Sequence, residues 1–198
     1  DLHSFPTRRS SDLCAAAAAR SRITLENVPV GELESFLEVY RKMGGQYEGK
    51  SGTLRINGER VCSPVPLVET GIYPGFPTDL QAPLMAVLAG IQGVSRIREK
   101  IFDDRFGSAL QMRKMGAHIE ITGNTAVICG TDTLKGCTTE AGDLRGGAAL
   151  IIAALGAKGE TCIRGTEFIS RGYEHICEDL EALGCRIWQS SGKGNERI

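Results

Sequence analysis

The amino-acid sequence predicts an α/β (α+β) fold in which three repeated units form one globular domain, with buried helices and sheets outside. The first observation is a helix that ends in glycine and leads into a strand. This pattern occurs three times, at Gly44, Gly116 and Gly184, so that successive glycines are 72 and 68 residues apart (44 to 116 and 116 to 184). Glycine is favoured there because the chain often adopts a left-handed conformation where a helix ends.

The second observation is a turn and a short strand that precede each of these helices. The turns begin at Ser21, Gly93 and Gly159, which are 72 and 66 residues apart (21 to 93 and 93 to 159). Two independent landmarks therefore agree on a unit of about 70 residues that is repeated three times. We place the units at residues 14–70, 71–136 and 137–198, and no Pro/Ser-rich linker separates them.

The third observation is the hydrophobic pattern within a unit, which predicts helix, strand, helix, strand, strand. Leu33, Phe36, Leu37 and Tyr40 recur at helical spacing and predict an amphipathic second helix. Alternation of polar and apolar residues then predicts a strand, followed across a glycine-containing turn by its hairpin partner, as at residues 118–129.

The first helix of a unit has a different pattern. Residues 84–88 and 148–155 are apolar on nearly all sides. A helix with no polar face must be buried, so we expect the three units to pack around their first helices and to carry their sheets outside.

The first thirteen residues do not fit this pattern. Residues 1–13 are polar, lack periodicity and lead abruptly into a run of alanines. They are similar to translated sequencing-adapter sequence at the edge of an assembled gene fragment. They do not have the apolar region of a signal peptide. We therefore expect a non-native, disordered segment before a single domain at 14–198.

Composition excludes several classes of function. The chain has 23 basic and 24 acidic side chains and a net charge of −1, so it has no overall positive field for nucleic acid or membranes. No apolar run approaches the roughly 20 residues of a membrane span. Three scattered histidines argue against a metal site. The seven cysteines form no C-x-x-C pair, and we interpret them as small buried hydrophobic residues of a cytoplasmic protein.

An acid followed by a helix occurs twice, in Thr78-Asp79-Leu80-Gln81 and Gly142-Asp143-Leu144-Arg145. An arginine follows each helix after a short strand, at Arg105 and Arg171. This repetition predicts one site for an anionic substrate. Two simpler interpretations stay open, namely that the acids are N-caps and that the arginines form surface ion pairs.

Specific segments add a resemblance to a known family. They are the run from Gly71 to Pro83 (GIYPGFPTDLQAP), Phe102-Asp103-Asp104-Arg105-Phe106, Arg113-Lys114-Met115-Gly116-Ala117, Asp143-Leu144-Arg145 and Arg171-Gly172-Tyr173-Glu174. In order and spacing, residues 14–198 resemble the enolpyruvyl transferases. The resemblance implies β-α-β-α-β-β units that form an inside-out barrel. It also implies a second, similar domain of the same chain, with the active site between the two domains.

The resemblance implies transfer of the enolpyruvyl group of phosphoenolpyruvate to the 3-hydroxyl of UDP-N-acetylglucosamine, the first committed step of peptidoglycan synthesis, without metal or cofactor. Asp79 would act at the sugar hydroxyl and Ile101 would offer a backbone contact. Arg145 and Arg171 would bind the carboxylate and phosphate of phosphoenolpyruvate. The residues expected to line the substrate cleft besides these are Asp103, Arg105 and Asp143. Family members often carry Glu-Asn where this chain has Asp103-Asp104.

Two alternatives from other branches or classes stay open. The branch of the family that acts on shikimate 3-phosphate shares the fold and the chemistry, but it lacks the Tyr-Pro-Gly-Phe-Pro-Thr-Asp-Leu-Gln context found here. A non-catalytic, three-repeat anion-binding module would keep the fold and one pocket. Because the family's loop with a reactive cysteine lies in the other domain, we expect the 198-residue chain alone to have no turnover.

Overall fold

The structure, a computed structural model, describes residues 6–173, 175–190 and 195–197. The helices are α1 (Pro6–Ala18), α2 (Glu34–Lys42), α3 (Gln81–Ala89), α4 (Gly107–Lys114), α5 (Leu144–Leu155), α6 (Thr166–Ser170) and α7 (Ile176–Ala182). Short 3₁₀ turns at Val30–Leu33 and Thr78–Leu80 lead into α2 and α3. The strands are β1 (Arg22–Leu25), β2 (Gln46–Lys50), β3 (Thr53–Asn57), β4 (Val68–Glu69), β5 (Gly93–Arg98), β6 (His118–Thr122), β7 (Thr125–Gly130), β8 (Thr138–Glu140), β9 (Cys162–Arg164), β10 (Trp188–Ser190) and β11 (Asn195–Arg197).

The strands form three separate sheets, with the orders β1-β3-β2, β4-β5-β7-β6 and β10-β11-β9-β8. In the second sheet β4 runs parallel to β5, and Val68 lies opposite Ile97. In the third sheet β8 runs parallel to β9, and Thr139 lies opposite Ile163. The remaining pairs are antiparallel. The second and third units therefore follow one topology, β-α-β-α-β-β, and the third contains α6 in addition.

The first helices lie at the centre of the molecule. All nine residues of α3 are buried, and α1, α3 and α5 contact one another. The sheets cover this helical centre from outside, so that the inward residues Ser95 and Ile97 of β5 are buried whereas their neighbours in the strand are exposed. Burial of an apolar helix stabilises the fold by roughly 25 cal/mol for each Å² of apolar surface that is removed from water. The predicted fold class, with helices inside and sheets outside, is confirmed.

The three glycines at the helix ends have the left-handed conformation that their positions predicted. Gly44, Gly116 and Gly184 have φ values of 93°, 89° and 89°. A side chain with a Cβ is strained at such φ values, so glycine permits α2, α4 and α7 to end and turn directly into the next strand.

Strands β4 and β8 mark where the second and third structural units begin. Val68 of β4 precedes the boundary that we placed at residue 71, and Thr138 of β8 follows the boundary at 137 by one residue. The difference at β4 arises because a two-residue strand is too short to show an alternating pattern.

The expectation of disorder is wrong for residues 6–13, which form the first part of α1. Leu13 and Cys14 are fully buried, and the hydroxyls of Ser11 and Tyr173 lie 2.6 Å apart. Leu13, Cys14 and the alanines that follow pack against the buried helices, and this contact extends the helix toward its N-terminus. Residues 1–5 lie outside the described part of the chain, and the non-native origin of the segment stays a prediction.

The interpretation of the cysteines as buried residues is also only partly correct. Cys14 is buried, and burial raises the pKa of its thiol. Cys62 and Cys129 are exposed. Cys129 is exposed because side chains alternate along β7, so that Ile128 enters the core and the next residue faces outward. All seven cysteines lie in the described part of the chain, and no disulfide joins any two of them there.

Candidate functional site

The N-terminal ends of α3, α4 and α5 enclose a cavity of about 280 Å³. Eight of the side chains around it are polar or charged: Thr78, Gln81, Asp103, Asp104, Arg105, Ser108, Asp143 and Arg145. Helix N-termini present unpaired N–H groups and a partial positive charge, which favours anions. The cavity therefore combines two guanidinium groups and three helix ends, which favour an anion, with three aspartates, whose formal charge exceeds that of the two arginines by one.

Asp79 joins the two arginines of this cavity. Its Oδ1 accepts a hydrogen bond from Nε of Arg145 at 2.7 Å and lies 3.7 Å from a terminal nitrogen of Arg105. Asp79 is in the middle of the 3₁₀ turn Thr78–Leu80, where Pro77 occupies the capping position. Its carboxylate does not cap that turn or α3, so it remains available to the arginines.

Asp143, unlike Asp79, caps the helix that follows it. Its backbone is extended, and its Oδ1 accepts hydrogen bonds from the backbone N–H groups of Arg145 and Gly146, each at 2.9 Å. This is an N-cap, which stabilises a helix by about 1 kcal/mol. The N-cap interpretation is therefore right for Asp143 and wrong for Asp79. By capping α5, Asp143 also holds the first helical turn from which the side chain of Arg145 extends toward Asp79.

Arg105 lies in the turn before α4 and is mostly buried. Its guanidinium carbon lies 4.3 Å from the centre of the Phe102 ring, a cation–π contact that orients the group. The preceding residue, Asp104, has a left-handed φ of 55°. Asparagine and aspartate are the non-glycine residues that most readily adopt this conformation. Asp104 therefore suits the left-handed backbone of this turn, and asparagine would suit it equally well.

Asp103 is exposed, and its Oδ1 accepts a hydrogen bond of 2.9 Å from the side-chain amide of Asn124. The backbone N–H of Ile101 donates to Oε1 of Glu99 at 2.8 Å. A substrate contact with the backbone of Ile101 would therefore use its carbonyl oxygen. Ile101 is not among the residues around the cavity, whereas Asp103 is.

Arg171 is exposed and is not among the residues around the cavity. It follows α6, and its guanidinium carbon lies 5.4 Å from the centre of the Phe168 ring. Helix α6 packs on the first turn of α5: a Cβ on Gly147 would lie 2.5 Å from Ile169, and a Cβ on Gly172 would lie 2.8 Å from Leu144. Arg171 thus lies near the same end of α5 as Arg145. Within the described residues it makes no contact with Asp79.

Glu99 is a residue that the sequence analysis missed. It is only 2% exposed and binds the segments on both sides of the cavity. A signal was present, because Ser95 and Ile97 are inward residues of β5 and residue 99 continues their alternation. A carboxylate at an inward position predicts a hydrogen-bonding role.

Two further features concern classes of function. No group of three or more His, Cys, Asp or Glu side chains with the arrangement of a metal site occurs in the described ranges. No helix within the same part of the chain is long and apolar enough to cross a membrane.

The sequence and the fold match one family of enzymes. Residues 10–180 match the sequence model of EPSP synthase (3-phosphoshikimate 1-carboxyvinyltransferase). The enolpyruvyl transferase NikO of Streptomyces tendae superposes with a TM-score of 0.77 at 25% identity, over 89% of this chain and 43% of that protein. An EPSP synthase of Acinetobacter baumannii has the same fold, with a TM-score of 0.76 at 20% identity over 98% of this chain and 46% of its own. The chain therefore belongs to the EPSP synthase family, whose members are enolpyruvyl (carboxyvinyl) transferases.

More similar relatives are named for one branch of this family. The chain is 40% identical over 178 residues to a UDP-N-acetylglucosamine 1-carboxyvinyltransferase of Desulfofundulus thermocisternus, which covers 90% of this chain and 73% of the relative. It is 41% identical over 177 residues to UDP-N-acetylglucosamine 1-carboxyvinyltransferase 2 of Clostridium tetani, which covers 89% of this chain and 42% of the relative. The chain thus spans less than half the length of several relatives that it matches.

Proposed function

We propose that this chain is one domain of a cytoplasmic enzyme that transfers the enolpyruvyl group of phosphoenolpyruvate to the 3-hydroxyl of UDP-N-acetylglucosamine. The reaction releases phosphate and is the first committed step of peptidoglycan synthesis. The observation that carries the proposal is the Asp79 carboxylate held by Arg145 and Arg105 beside a cavity at three helix ends. About 40% identity to enzymes named for this reaction supports the choice of acceptor.

In this proposal Asp79 accepts or orients the proton of the sugar 3-hydroxyl. The contacts with both arginines use Oδ1. Oδ2 is left to face the acceptor hydroxyl, and the two guanidinium groups keep the carboxylate in one orientation. A group that takes a proton in the transition state must lie within hydrogen-bonding distance of it. A carboxylate fixed by two arginines satisfies that demand better than a mobile side chain.

Arg145 and Arg171 bind the oxyanions of phosphoenolpyruvate. A guanidinium group has five N–H donors, stays charged at working pH and matches carboxylate and phosphate geometry. Arg145 uses Nε for Asp79, so that its terminal N–H groups remain for the ligand. Arg171 is exposed near the same end of α5, where its guanidinium group is accessible to the other oxyanion of the ligand.

The reaction requires these residue types. The sugar oxygen attacks C2 of phosphoenolpyruvate while C3 gains a proton, and the tetrahedral intermediate then loses phosphate and a C3 proton to restore the double bond. The attack needs a base, and charge that develops at C2 and on the phosphate needs fixed electrostatic partners. Asp79 supplies the first requirement, and the arginines supply part of the second.

The other groups that the reaction needs belong to a second domain of the longer protein, which closes over the cavity. The lengths of the matched relatives support this, since 177 residues of this chain correspond to 42% of one of them. The family's reactive-cysteine loop would lie in that domain. We therefore expect the 198-residue chain alone to bind ligands weakly and to have no turnover.

The test is phosphate release by the longer protein with phosphoenolpyruvate and one of two acceptors, UDP-N-acetylglucosamine or shikimate 3-phosphate. We expect turnover with the sugar nucleotide and none with shikimate 3-phosphate. The second acceptor is included because the matching family model describes the enzyme that uses it. Turnover with shikimate 3-phosphate would move the protein to that branch. No turnover with either, together with retained anion binding, would support the binding module instead.

A further inference from the structure

Glu99 is the first residue after β5, and its carboxylate is almost completely enclosed by protein. Only 2% of the residue is exposed, and no arginine or lysine pairs with it among the described residues. A buried carboxylate without a cation is costly unless hydrogen bonds replace its water. The position therefore needs a specific explanation.

Four hydrogen bonds take the place of that water. Oε1 accepts from the Thr70 hydroxyl at 2.7 Å and from the backbone N–H groups of Ile101 at 2.8 Å and Phe102 at 3.3 Å. Oε2 accepts from the Thr78 hydroxyl at 2.8 Å. Burial opposes ionisation, but these hydrogen bonds outweigh it and lower the pKa of Glu99 below its usual value.

The four donors come from three segments that are separate in sequence. Thr70 follows β4, and its hydroxyl also accepts from the backbone N–H of Lys100 at 2.8 Å. Thr78 is the residue before Asp79 in the 3₁₀ turn. Phe102 begins the turn that carries Arg105 and packs against that guanidinium. One carboxylate thus fastens the segment that holds Asp79 to the loop that holds Arg105.

We propose that Glu99 is a positioning residue that sets the distance between Asp79 and Arg105, and that this geometry is required for acceptor binding and turnover. The claim about acceptor binding and turnover rests on the function proposed above. The claim that Glu99 sets the distance between Asp79 and Arg105 does not. Glu99 is buried and both of its carboxylate oxygens are occupied by protein donors, so it acts through the two segments rather than on substrate.

Three substitutions separate this role from a general contribution to folding. Glu99→Ala removes all four acceptor contacts. Glu99→Gln retains the carbonyl at the Oε1 position for three donors, and its amide donates to the Thr78 hydroxyl, which can accept as well as donate. The control is Glu48→Gln, which neutralises an exposed carboxylate of β2, in a different sheet.

The first readout is backbone amide exchange in the 198-residue chain. In Glu99→Ala we expect the amides of Lys100, Ile101 and Phe102 to exchange about tenfold or more faster, while amides in α3 and β7 keep their wild-type rates. Glu99→Gln and Glu48→Gln should stay near wild type. Unchanged loop amides in Glu99→Ala, or equal acceleration throughout the chain, would overturn the proposal.

If Glu99→Ala does not fold, Thr70→Val and Thr78→Val replace it, since each removes one donor at constant shape. Thr70→Val should accelerate exchange at Lys100, whose N–H loses its acceptor. Thr78→Val should leave that amide protected, because its hydroxyl binds the other carboxylate oxygen. The same exchange rate at Lys100 in both variants would contradict this arrangement.

The second readout is steady-state kinetics of the longer protein. Glu99→Ala should raise KM for UDP-N-acetylglucosamine and lower kcat by about tenfold or more each, and Glu99→Gln should restore most of both. Wild-type KM and kcat in Glu99→Ala, despite faster loop exchange, would reduce Glu99 to a structural residue. An inactive wild-type protein would instead refute the proposed function and leave the exchange result to decide the inference.

Discussion

Oδ1 of Asp79 accepts a hydrogen bond from Nε of Arg145 at 2.7 Å, across a separation of 66 residues. The contact joins the start of the central helix in the second repeat to the start of the corresponding helix in the third. Partly exposed ion pairs stabilise a fold by at most about 1 kcal/mol. The value of this pair therefore lies in the orientation that it imposes on both side chains beside the cavity.

Asp79→Asn should lower kcat of the longer protein by about 10²–10⁴-fold, the usual contribution of a general acid–base group. Asparagine has the shape of aspartate and still accepts from Arg145 through its carbonyl, but it cannot take up a proton. The measurement is phosphate release at saturating substrate, with thermal unfolding as a check on folding. Asp132→Asn, at an exposed position outside this cavity, is the matched control and should keep wild-type kcat. Equal rates for both variants would remove Asp79 from the chemistry.

Asp143→Ala should lower the free energy of unfolding by about 1 kcal/mol, because two N–H groups of α5 lose their acceptor. Asp143→Asn should have a much smaller effect, since asparagine is an equally good N-cap. Urea denaturation of the 198-residue chain measures both. A similar loss in the two variants would indicate that the negative charge of Asp143, rather than its capping geometry, matters.

Arg145→Lys should raise KM for phosphoenolpyruvate by roughly 10- to 100-fold, as expected when a hydrogen bond worth about 1.5–3 kcal/mol between charged groups is lost. Lysine keeps the charge but has neither Nε in a guanidinium plane nor the paired donors that bind Asp79 and an oxyanion together. Arg164→Lys, on the exposed face of β9, serves as the control and should leave KM unchanged. The hypothesis fails if the two substitutions give the same KM.

Acid should destabilise the wild-type chain more than Glu99→Gln. The folded pKa of Glu99 lies below the usual value of 4.5, since its four hydrogen bonds favour the ionised form despite burial. The stability linked to ionisation is fully present above the unfolded pKa and is lost as pH falls through the folded pKa. Urea unfolding of both proteins between about pH 3 and pH 7 measures the difference between their free energies of unfolding. The contributions of the other carboxylates are the same in both proteins and cancel from this difference. A difference independent of pH would contradict the lowered pKa.

Leu84→Ala should lower the free energy of unfolding by about 2–5 kcal/mol, because it opens a cavity in the fully buried helix α3. Leu110→Ala on α4 should change it by less than about 0.5 kcal/mol, since 59% of Leu110 is exposed. Chemical denaturation of the two variants tests the arrangement of buried first helices and outer second helices. Equal losses would be incompatible with it.

The repeats were predictable from the sequence because they depend on local rules. Gly44, Gly116 and Gly184 are required by the left-handed turns that end the outer helices, and this requirement is met within a few residues of chain. Likewise, the apolar residues on all sides of α3 and α5 leave burial as their only stable environment.

Local rules failed where the partner is distant in sequence. Residues 6–13 are polar on average and predicted disorder, but the buried helices α3 and α5 offer Leu13 and Cys14 an apolar contact that a local pattern does not contain. For the same reason Glu99 was missed: two of its four donors, Thr70 and Thr78, lie 29 and 21 residues away.

Asp79 and Asp143 show most clearly which features depend on local sequence and which depend on the folded chain. The sequence alone determined that each acid precedes a helix of the buried centre, because apolar periodicity and helix-breaking residues act over one or two turns. Only the tertiary structure decided which of the two acids keeps the local role of an N-cap, as Asp143 does, and which binds the arginines of two other segments, as Asp79 does. Where a carboxylate points depends on which donors the packing of the three repeats brings within hydrogen-bonding distance, and that distance is a property of the folded chain.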